Sequence, residues 1–314
     1  MSNTVLITGA AGFLGSLLSE TLATFNVRLI LADIVEPKSP KSSDAVTVKV
    51  DLTARESIDN LFKTQFGVPD TIYCLHGIMS RGAEENFDFG LQVNFDSIRL
   101  MLQAARDFGT QSATLIKFIF ASSLAVYGGP LPHTVTSDTI ATPEGAYGLG
   151  KLASELFVNE FSRRGFVDGR ILRLPTIAVR HGAPAAATSA FISGIIREPL
   201  KGIESLCPIG DSLDSPRARA RALARQFPLH SRVVCLPGFT ATVRDELDAL
   251  EKVGGKPALD LVRFKDDPVS RRLVSSWPSR FDNTYALSLG FVVDEGGMEP
   301  IVRRFREDIE AGRA

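Results

Sequence analysis

The stretch that decides the fold is Thr8–Gly15, TGAAGFLG, which carries glycines at positions 9, 12 and 15. It follows the apolar run Val5–Ile7 and leads into the apolar segment Phe13–Phe25, so we predict a strand, a tight turn and a helix. The first glycine permits the turn, the second lets the backbone approach a bound group, and the third lets helix and strand pack closely. Because amide groups at a helix N-terminus attract anions, this pattern is typical of a pyrophosphate cradle.

A carboxylate follows at the end of the second predicted strand. The apolar run Val27–Ala32 ends at Asp33, about 24 residues after the first glycine. A carboxylate at this place accepts hydrogen bonds from the ribose hydroxyls of adenosine and repels a 2′-phosphate. No lysine or arginine directly follows Asp33, so we predict that the cofactor is NAD rather than NADP.

Composition restricts the class of protein. The chain has 314 residues, of which 44% are hydrophobic and 23% are charged, and its net charge is −1. These values are ordinary for a globular protein and favour neither nucleic acid nor an anionic membrane as a partner. No apolar run approaches the ~20 residues of a membrane span, and the first strand begins too early for a signal peptide. The three cysteines lack disulfide or metal-ligand spacing, so we expect a cytoplasmic protein without a metal site.

Predicted strands and helices alternate along the first half of the chain. Apolar, β-prone runs predict the third to sixth strands at Val46–Val50, Thr71–Leu75, Leu115–Ala121 and Gly169–Arg173. The segment Phe87–Phe108 has apolar residues at helical spacing and is predicted as one long helix. This alternation predicts an α/β fold with a doubly wound parallel sheet, the Rossmann fold, in which ligands bind beyond the carboxyl ends of the strands.

We expect two interleaved parts in the chain. Residues 1–177 should form an NAD-binding Rossmann domain that also includes late strands from about 230–240. Residues 178–314 should form a smaller C-terminal α/β lobe that binds the substrate. Within this lobe the arginine-rich segment Pro216–Phe227 is predicted as a solvated amphipathic helix, and Val243–Val253 and Pro300–Ile309 as further helices.

A tyrosine and a lysine four residues apart form the most reactive pattern in the sequence. Tyr147 and Lys151 open an apolar, helix-like segment that runs to Phe161, so both side chains share one helix face. A phenol with a pKa near 10 is a poor base, but a neighbouring ammonium and the positive ring of oxidised nicotinamide lower that pKa. The phenolate can then take a proton from an alcohol while hydride leaves its carbon. Ser123, at the end of the fifth strand, can hydrogen-bond the same oxygen.

Several polar residues near these strand ends leave alternatives open. Asp51 either contacts the adenine amine or caps the helix that starts near Thr53. Asn94 is either exposed on its helix or buried and hydrogen-bonded in a functional position. Ser80, after the fourth strand, either faces the substrate or belongs to a plain loop. His76 has no evident partner that would make it a base or a ligand, so we expect a structural role for it.

The chain resembles the extended short-chain dehydrogenase/reductases, the NAD-dependent epimerase/dehydratase family. The resemblance rests on the glycine motif, Asp33, the segment Ser122–Gly128 and the tyrosine–lysine pair. It implies catalytic roles for Ser123, Tyr147 and Lys151, with Lys151 also binding the nicotinamide ribose, and a homodimer packed through the two long predicted helices. The implied cofactor-binding residues are Gly9, Gly12, Phe13, Leu14, Gly15, Asp33, Asp51, Leu52, Leu75, Asn94, Tyr147, Lys151, Pro175 and Thr176.

A narrower resemblance is to the D-erythronate dehydrogenase subgroup of this family. It covers several segments of the chain: Ser80 with Ala83–Asp88, Ser162–Arg170, Leu172–Thr176, Gly194–Leu200, Leu236–Gly238 and Trp277–Asp282. The subgroup oxidises the C2 hydroxyl of a four-carbon sugar acid with NAD, which implies a small anionic substrate. The implied substrate-binding residues are Ser80, Ser123, Tyr147 and Arg180, with Arg180 as a carboxylate clamp or, alternatively, as part of an intrachain ion pair. His181 departs from the subgroup, which usually has proline there, and the segment 210–230 is shorter.

We therefore expect an NAD-dependent dehydrogenase of a small hydroxy acid or polyol. The alternatives are a sugar-nucleotide epimerase or dehydratase, in which oxidation is transient, and a carbonyl reductase of secondary metabolism. A nucleotide-sugar site needs groups for a diphosphate and a base, and the segment 210–230 offers no clear set. A cofactor-sensing regulator that has lost catalysis would lack the tyrosine, so the intact Tyr147 argues against that class.

Overall fold

The computed structural model describes residues 2–41, 44–182, 189–209, 216–219 and 232–314 of the chain. Its strands are β1 Asn3–Thr8, β2 Val27–Asp33, β3 Asp44–Lys49, β4 Thr71–Cys74, β5 Lys117–Ser123, β6 Asp168–Leu174, β7 Ser205–Cys207, β8 Pro216–Arg219, β9 Val233–Cys235, β10 Phe239–Thr242 and β11 Val262–Phe264. A seven-stranded, wholly parallel sheet runs in the order β3-β2-β1-β4-β5-β6-β9. The predicted doubly wound α/β fold is confirmed, and its strand order reverses between β1 and β4, where such sheets bind their ligands.

Helices lie on both faces of this sheet and in the C-terminal part of the chain. They are α1 Phe13–Leu22, α2 Arg55–Leu61, α3 Ser80–Glu85, α4 Phe87–Leu91, α5 Ser97–Ser112, α6 Ala146–Arg163, α7 Ala190–Leu200, α8 Val243–Leu259, α9 Pro268–Ser276, α10 Thr284–Ser288 and α11 Met298–Glu310. Alternate residues of each central strand face opposite layers, so Leu6 packs with α2, α5 and α6 while Ile7 packs with α1. Burial on both faces explains why these strands read as continuous apolar runs.

The long helix predicted at Phe87–Phe108 contains an irregular turn. It consists of α4, a π-helical turn at Gln92–Asp96 and α5, so that helical structure runs from Phe87 to Ser112. The carbonyl oxygen of Asn94, inside this turn, accepts a hydrogen bond from Ser154 Oγ of α6 at 3.0 Å. The extra residue of a π turn shifts the helix face, and here it brings Asn94 inward toward the end of β4.

A second hydrophobic core lies in the C-terminal part of the chain. Buried residues of α7, α8 and α11 meet there, among them Ile195, Leu250 and Val302. Two small sheets border it, with β7 parallel to β11 and β8 antiparallel to β10. The amphipathic helix predicted at Pro216–Phe227 is wrong at its start, because residues 216–219 form β8 and pair with β10, a distant partner that local periodicity does not reveal. The remaining residues of that segment lie outside the described part.

The division of the chain near residue 177 stays a proposal. The largest core cluster takes its fully buried residues from Leu6 to Ile171, and the second core takes its own from Val179 to Phe305. Among the late strands, β9 joins the main sheet beside β6, whereas β10 belongs to the small sheet with β8. Within the described ranges, no helix is both long and apolar enough to cross a bilayer.

Candidate active site

A cavity of about 780 Å³ opens at the carboxyl ends of the central strands. The loops after β1, β2, β4, β5 and β6 line it on one side, and residues from the start of the C-terminal part line it on the other. The residues that sequence reasoning named and that line this cavity are Gly9, Gly12, Phe13, Leu14, Gly15, Asp33, Asp51, Leu52, Leu75, Ser80, Ser123, Tyr147, Lys151, Pro175, Thr176 and Arg180. Asn94 lies behind the residues that line the cavity.

The glycine turn has no room for side chains. Gly9 has φ +71°, and a Cβ there would lie 2.8 Å from the backbone nitrogen of His76, so the turn after β1 presses against the loop after β4. A Cβ on Gly15 would lie 2.1 Å from the carbonyl oxygen of Gly9. Gly12 has an extended conformation directly before α1, whose N-terminus therefore faces the cavity. These features fit the pyrophosphate of a dinucleotide.

Asp33 is anchored at the adenosine end of the cavity. Its Oδ2 accepts a hydrogen bond from the Ala11 amide at 3.0 Å, and its Oδ1 accepts one from the Val35 amide at 3.2 Å. Two backbone donors thus hold the carboxylate in place, and each oxygen keeps lone-pair capacity for a ribose hydroxyl. The residue therefore fits the role expected of it toward the cofactor.

Asp51 binds Thr53, in the turn before α2, which is close to the helix-capping role that the sequence suggests. Its Oδ1 accepts hydrogen bonds from the amide of Thr53 at 2.9 Å and from the Thr53 hydroxyl at 2.8 Å. The helix α2 begins later, at Arg55, with Ala54 at its N-cap position, so Asp51 stabilises the turn that leads into the helix. Its carboxylate also lines the cavity beside Leu52, so a contact with adenine stays open.

His76 lines the cavity and connects three elements of the fold there. Its Nδ1 lies 2.7 Å from Thr8 Oγ1 of β1, and its Nε2 lies 2.7 Å from Ser97 Oγ of α5. The Ser97 hydroxyl donates to the Val93 carbonyl, so it accepts from Nε2–H, and Nδ1 then accepts from Thr8. Burial, together with the charge of Lys151, lowers the pKa of His76 to about 3, which keeps the imidazole neutral. These contacts support the structural role expected for His76.

Asn94 holds the loop that follows β4. It is fully buried, its Oδ1 accepts a hydrogen bond from the Ile78 amide at 3.0 Å, and its Nδ2 donates to the Ile78 carbonyl at 3.0 Å. Of the two alternatives for this residue, burial is therefore correct. The side chain shapes the cavity wall at residues 77–79 without lining the cavity itself, and direct binding of cofactor by Asn94 stays a prediction.

Tyr147 and Lys151 meet the end of β5, as their spacing on α6 predicts. Lys151 Nζ donates a hydrogen bond to the Ala121 carbonyl at 2.8 Å and lies 5.6 Å from the centroid of the Tyr147 ring. Tyr147 and Ser123 both line the cavity, and the Ser123 hydroxyl oxygen accepts a hydrogen bond from the Ala125 amide at 3.1 Å. The three residues named as catalytic are therefore adjacent in one cavity.

Burial dominates the acid–base properties of this cluster. It raises the pKa of Tyr147, and this rise is opposed by the nearby hydroxyl of Ser123 and by the charge of Arg180. Burial also lowers the pKa of Lys151 to about 8, against the opposing charge of Glu155. A further positive charge beside the phenol, which oxidised nicotinamide carries, would favour its ionised form.

Arg180 faces this cluster from the C-terminal side. Its amide donates to Ser193 Oγ at 3.1 Å, and its carbonyl accepts from Arg197 Nη1 at 2.9 Å, so two side chains of α7 hold its backbone. Its Nη2 is buried and has no hydrogen-bond partner among the described residues. Burial lowers the pKa of Arg180, although Tyr147 opposes this effect. An anionic ligand in the cavity would satisfy this donor.

Three further residues line the cavity that the sequence did not identify as site residues, namely His181, Arg197 and Trp277. His181 lies between the rings of Phe13 and Phe305, with centroid distances of 5.6 and 5.4 Å. Arg197 is buried and ion-paired with its neighbour Glu198 at 2.5 Å. A lone arginine in the apolar helix α7 was the available signal for Arg197. Trp277 lines the cavity and also packs against the second core.

Metal ligands and paired cysteines do not add to this site. Among the described residues, no group of three or more His, Cys, Asp or Glu side chains could hold a metal ion. Cys74, Cys207 and Cys235 are all free thiols.

Comparison with known proteins agrees with this geometry. The model of the NAD dependent epimerase/dehydratase family matches residues 5–215. D-erythronate dehydrogenases from Haemophilus influenzae and Cupriavidus necator are each 39% identical to this chain, over 96% and 97% of its length and 98% of theirs. A crystal structure described as the nucleoside-diphosphate-sugar epimerase from Agrobacterium tumefaciens has a TM-score of 0.87 at 32% identity, covering 100% of this chain and 96% of that one.

The family match extends over more than half of the chain, and two relatives match it over nearly their full length. The cradle after β1 and the cluster at the end of β5 are the parts that NAD and a reacting hydroxyl require. The chain therefore belongs to the NAD-dependent epimerase/dehydratase family, and it is an NAD-dependent dehydrogenase of the short-chain dehydrogenase/reductase type.

Proposed function

We propose that this protein oxidises the C2 hydroxyl of a small hydroxy acid, with D-erythronate as the leading candidate. One observation carries the choice of an acid: the buried Nη2 of Arg180 lacks a hydrogen-bond partner in the same cavity as Tyr147 and Ser123. A carboxylate is the group that a buried guanidinium binds most favourably. The two relatives named D-erythronate dehydrogenase support the same choice.

The cofactor would lie along the carboxyl edge of the sheet. The turn at Gly9–Gly15 and the start of α1 would hold the pyrophosphate, and Asp33 would accept hydrogen bonds from the adenosine ribose. Lys151 would bind the nicotinamide ribose, with Pro175 and Thr176 beside the ring. When bound, NAD supplies the acceptor for the hydride that leaves the substrate carbon.

Side chains of the protein would transfer the proton of the substrate hydroxyl. Ser123 would donate a hydrogen bond to the substrate oxygen, and Tyr147 as phenolate would take the hydroxyl proton as the carbonyl forms. Lys151 would stabilise that phenolate by its charge, which requires the ammonium form. In the reverse direction, neutral Tyr147 would return the proton to the carbonyl oxygen.

Substrate recognition would depend on the C-terminal side of the cavity. Arg180 would bind the carboxylate in a bidentate manner, and Ser80, at the start of α3, would contact a hydroxyl. Because Ser193 and Arg197 hold the backbone of Arg180, the clamp needs little rearrangement on binding.

The test is NADH formation when the purified protein meets NAD and a panel of substrates. The panel contains D-erythronate and other sugar acids, the neutral polyol erythritol, and UDP-sugars. Turnover confined to sugar acids supports the proposal. The crystal structure named as a nucleoside-diphosphate-sugar epimerase favours one second candidate, a sugar-nucleotide epimerase, which would interconvert UDP-sugars without net NADH.

We also propose a cytoplasmic homodimer. Leu149, Leu156 and Phe157 lie seven and eight residues apart on α6, so they share a face, and all three are exposed. Phe157 packs edge-on against Phe95 of the π-helical turn, with 5.3 Å between the ring centroids. A second copy that presents the same face would cover this apolar surface. Three free cysteines support a reducing compartment.

A further inference from the structure

A buried ion pair lies directly behind the proposed catalytic residues. Glu155 of α6 is 2% exposed, and Arg173 of β6 binds it in a bidentate manner. Arg173 Nε donates to Oε1 at 2.8 Å, and Nη2 donates to Oε2 at 2.6 Å. The third nitrogen, Nη1, donates to the buried Tyr127 hydroxyl at 2.6 Å. All three nitrogens of the guanidinium and both oxygens of the carboxylate therefore have partners inside the protein.

The carboxylate also binds the end of β5. Ser122, the residue before Ser123, donates its hydroxyl proton to Glu155 Oε1 at 2.5 Å. The ion pair thus joins α6, β6 and β5 at one point. Because Ser122 and Ser123 are adjacent in β5, fixing the first restricts the position of the second.

One face of α6 follows three consecutive residues of β5. Tyr147, Lys151 and Glu155 are spaced by four residues and so share this face. Lys151 donates a hydrogen bond to the Ala121 carbonyl, Glu155 accepts one from Ser122, and the Tyr147 phenol lies near Ser123. The Glu155 contact thus fixes this face of α6 to the strand at a second hydrogen-bonded point, one helical turn from Lys151.

The charges around Lys151 come from several elements. Cys74 of β4 is neutral, because burial raises the pKa of its thiol to about 12. His76, after β4, is neutral for the reason given above. Tyr147 and Glu155 flank the lysine on α6, and Glu155 favours its ammonium form. Arg173 of β6 faces the carboxylate of Glu155 directly.

We propose that Glu155, oriented by Arg173, is a positioning residue that seats α6 on the end of β5 and whose negative charge, one helical turn from Lys151, stabilises the ammonium. It lines no part of the cavity and touches neither substrate nor cofactor. A buried ion pair is seldom needed for stability, since apolar residues of similar volume often replace it without loss. Glu155 binds Ser122 and lies on the same face of α6 as Lys151, so the ion pair has a role in the site besides packing.

The direct test follows the amine of Lys151 by NMR in protein labelled at the lysine side chains. A Lys151→Met variant assigns the signal. In Glu155→Gln, which keeps the shape and removes the charge, the titration midpoint of Lys151 should fall by about one pH unit. Glu160→Gln is the matched control, because Glu160 lies on the exposed side of the same helix and pairs with Arg163 and Arg164. An unmoved midpoint in Glu155→Gln overturns the proposal.

A second variant keeps the proposal testable if Glu155→Gln does not fold. In Glu155→Leu/Arg173→Met, both charges are replaced together, so no unpaired buried charge remains. The midpoint should again fall, and kcat with D-erythronate should drop about tenfold while NADH affinity stays near the wild-type value. A wild-type midpoint and kcat in a folded double variant would mean that the pair is only structural.

The two arms separate this inference from the proposed function. The kinetic arm rests on the proposed roles of Tyr147 and Lys151 and needs a substrate that is turned over. The NMR arm needs none, so it decides the inference even if D-erythronate is not oxidised.

Discussion

The Nζ atom of Lys151 donates a hydrogen bond to the carbonyl oxygen of Ala121, 2.8 Å away, and so joins α6 to the end of β5. This contact holds the ammonium inside the protein, 5.6 Å from the centroid of the Tyr147 ring. Burial lowers the pKa of Lys151 to about 8, so this group changes charge near the pH at which dehydrogenases are commonly assayed. Stability and turnover should both depend on that proton.

Lys151 should make the free energy of unfolding depend on pH. Its pKa is 10.5 in a solvated chain and about 8 in the fold, so between these values the unfolded state binds more protons. Stability therefore rises with pH through this window. Relative to Lys151→Met, the free energy of unfolding of the wild type should increase by about 3 kcal/mol from pH 8 to about pH 10.5. Urea unfolding of both proteins measures this difference, and a constant difference would contradict the burial of the charged amine.

Asp33 should decide between NAD and NADP. In Asp33→Asn the side chain can still accept from the Ala11 amide, but the charge that repels a 2′-phosphate is gone. The preference for NAD should fall by about tenfold or more. Cofactor dissociation constants, measured by quenching of tryptophan fluorescence, give the ratio.

Asp51→Asn is the matched control for this change. Asp51 lines the same cavity, but its carboxylate is bound to Thr53. Its substitution should leave the ratio of the two dissociation constants close to the wild-type value. An unchanged ratio in Asp33→Asn would remove Asp33 from the ribose site.

Arg180 should discriminate acids from neutral substrates. Loss of a charged, bidentate contact costs about 1.5–3 kcal/mol, so Arg180→Met should raise KM for D-erythronate about 10- to 100-fold. Activity with erythritol, which has no carboxylate, should change little. Arg163→Met, at an exposed arginine paired with Glu160, controls for loss of positive charge. Equal effects on acid and polyol would mean that no carboxylate binds at Arg180.

The exposed face of α6 should be the dimer interface. Leu156→Glu places a charge in the middle of that face, and its desolvation should convert the dimer to a monomer. Molar mass from light scattering after size exclusion measures this. Leu206→Glu, at an exposed leucine on β7, should leave the mass unchanged. A monomeric wild type would refute the dimer itself.

The parts of the site that short sequence motifs encode were predictable from the sequence. The glycine turn, Asp33 and the strand ends follow from one βαβ unit, and Tyr147 and Lys151 meet because four residues make about one helical turn. The parallel sheet followed from apolar, β-prone runs that alternate with helix-like segments, because the central strands are buried on both faces. These features need no knowledge of distant contacts.

Features that depend on distant partners were not predictable. Asn94 turns inward because a π turn interrupts its helix and Ile78 offers both backbone groups. Residues 216–219 form a strand because β10 is available to pair with them. Arg197 gains its importance from the backbone of Arg180, seventeen positions earlier in the chain. Local periodicity carries no signal for such pairs.

The most direct test of the account compares the wild type with Tyr147→Phe in NADH formation from D-erythronate and NAD. The phenyl ring keeps the shape of the site and cannot take a proton. We predict that the wild type reduces NAD and that kcat falls about 10²- to 10⁴-fold in the variant, with NADH affinity nearly unchanged. Turnover by Tyr147→Phe near the wild-type rate would contradict the assignment of Tyr147 as the base, and with it the proposed mechanism.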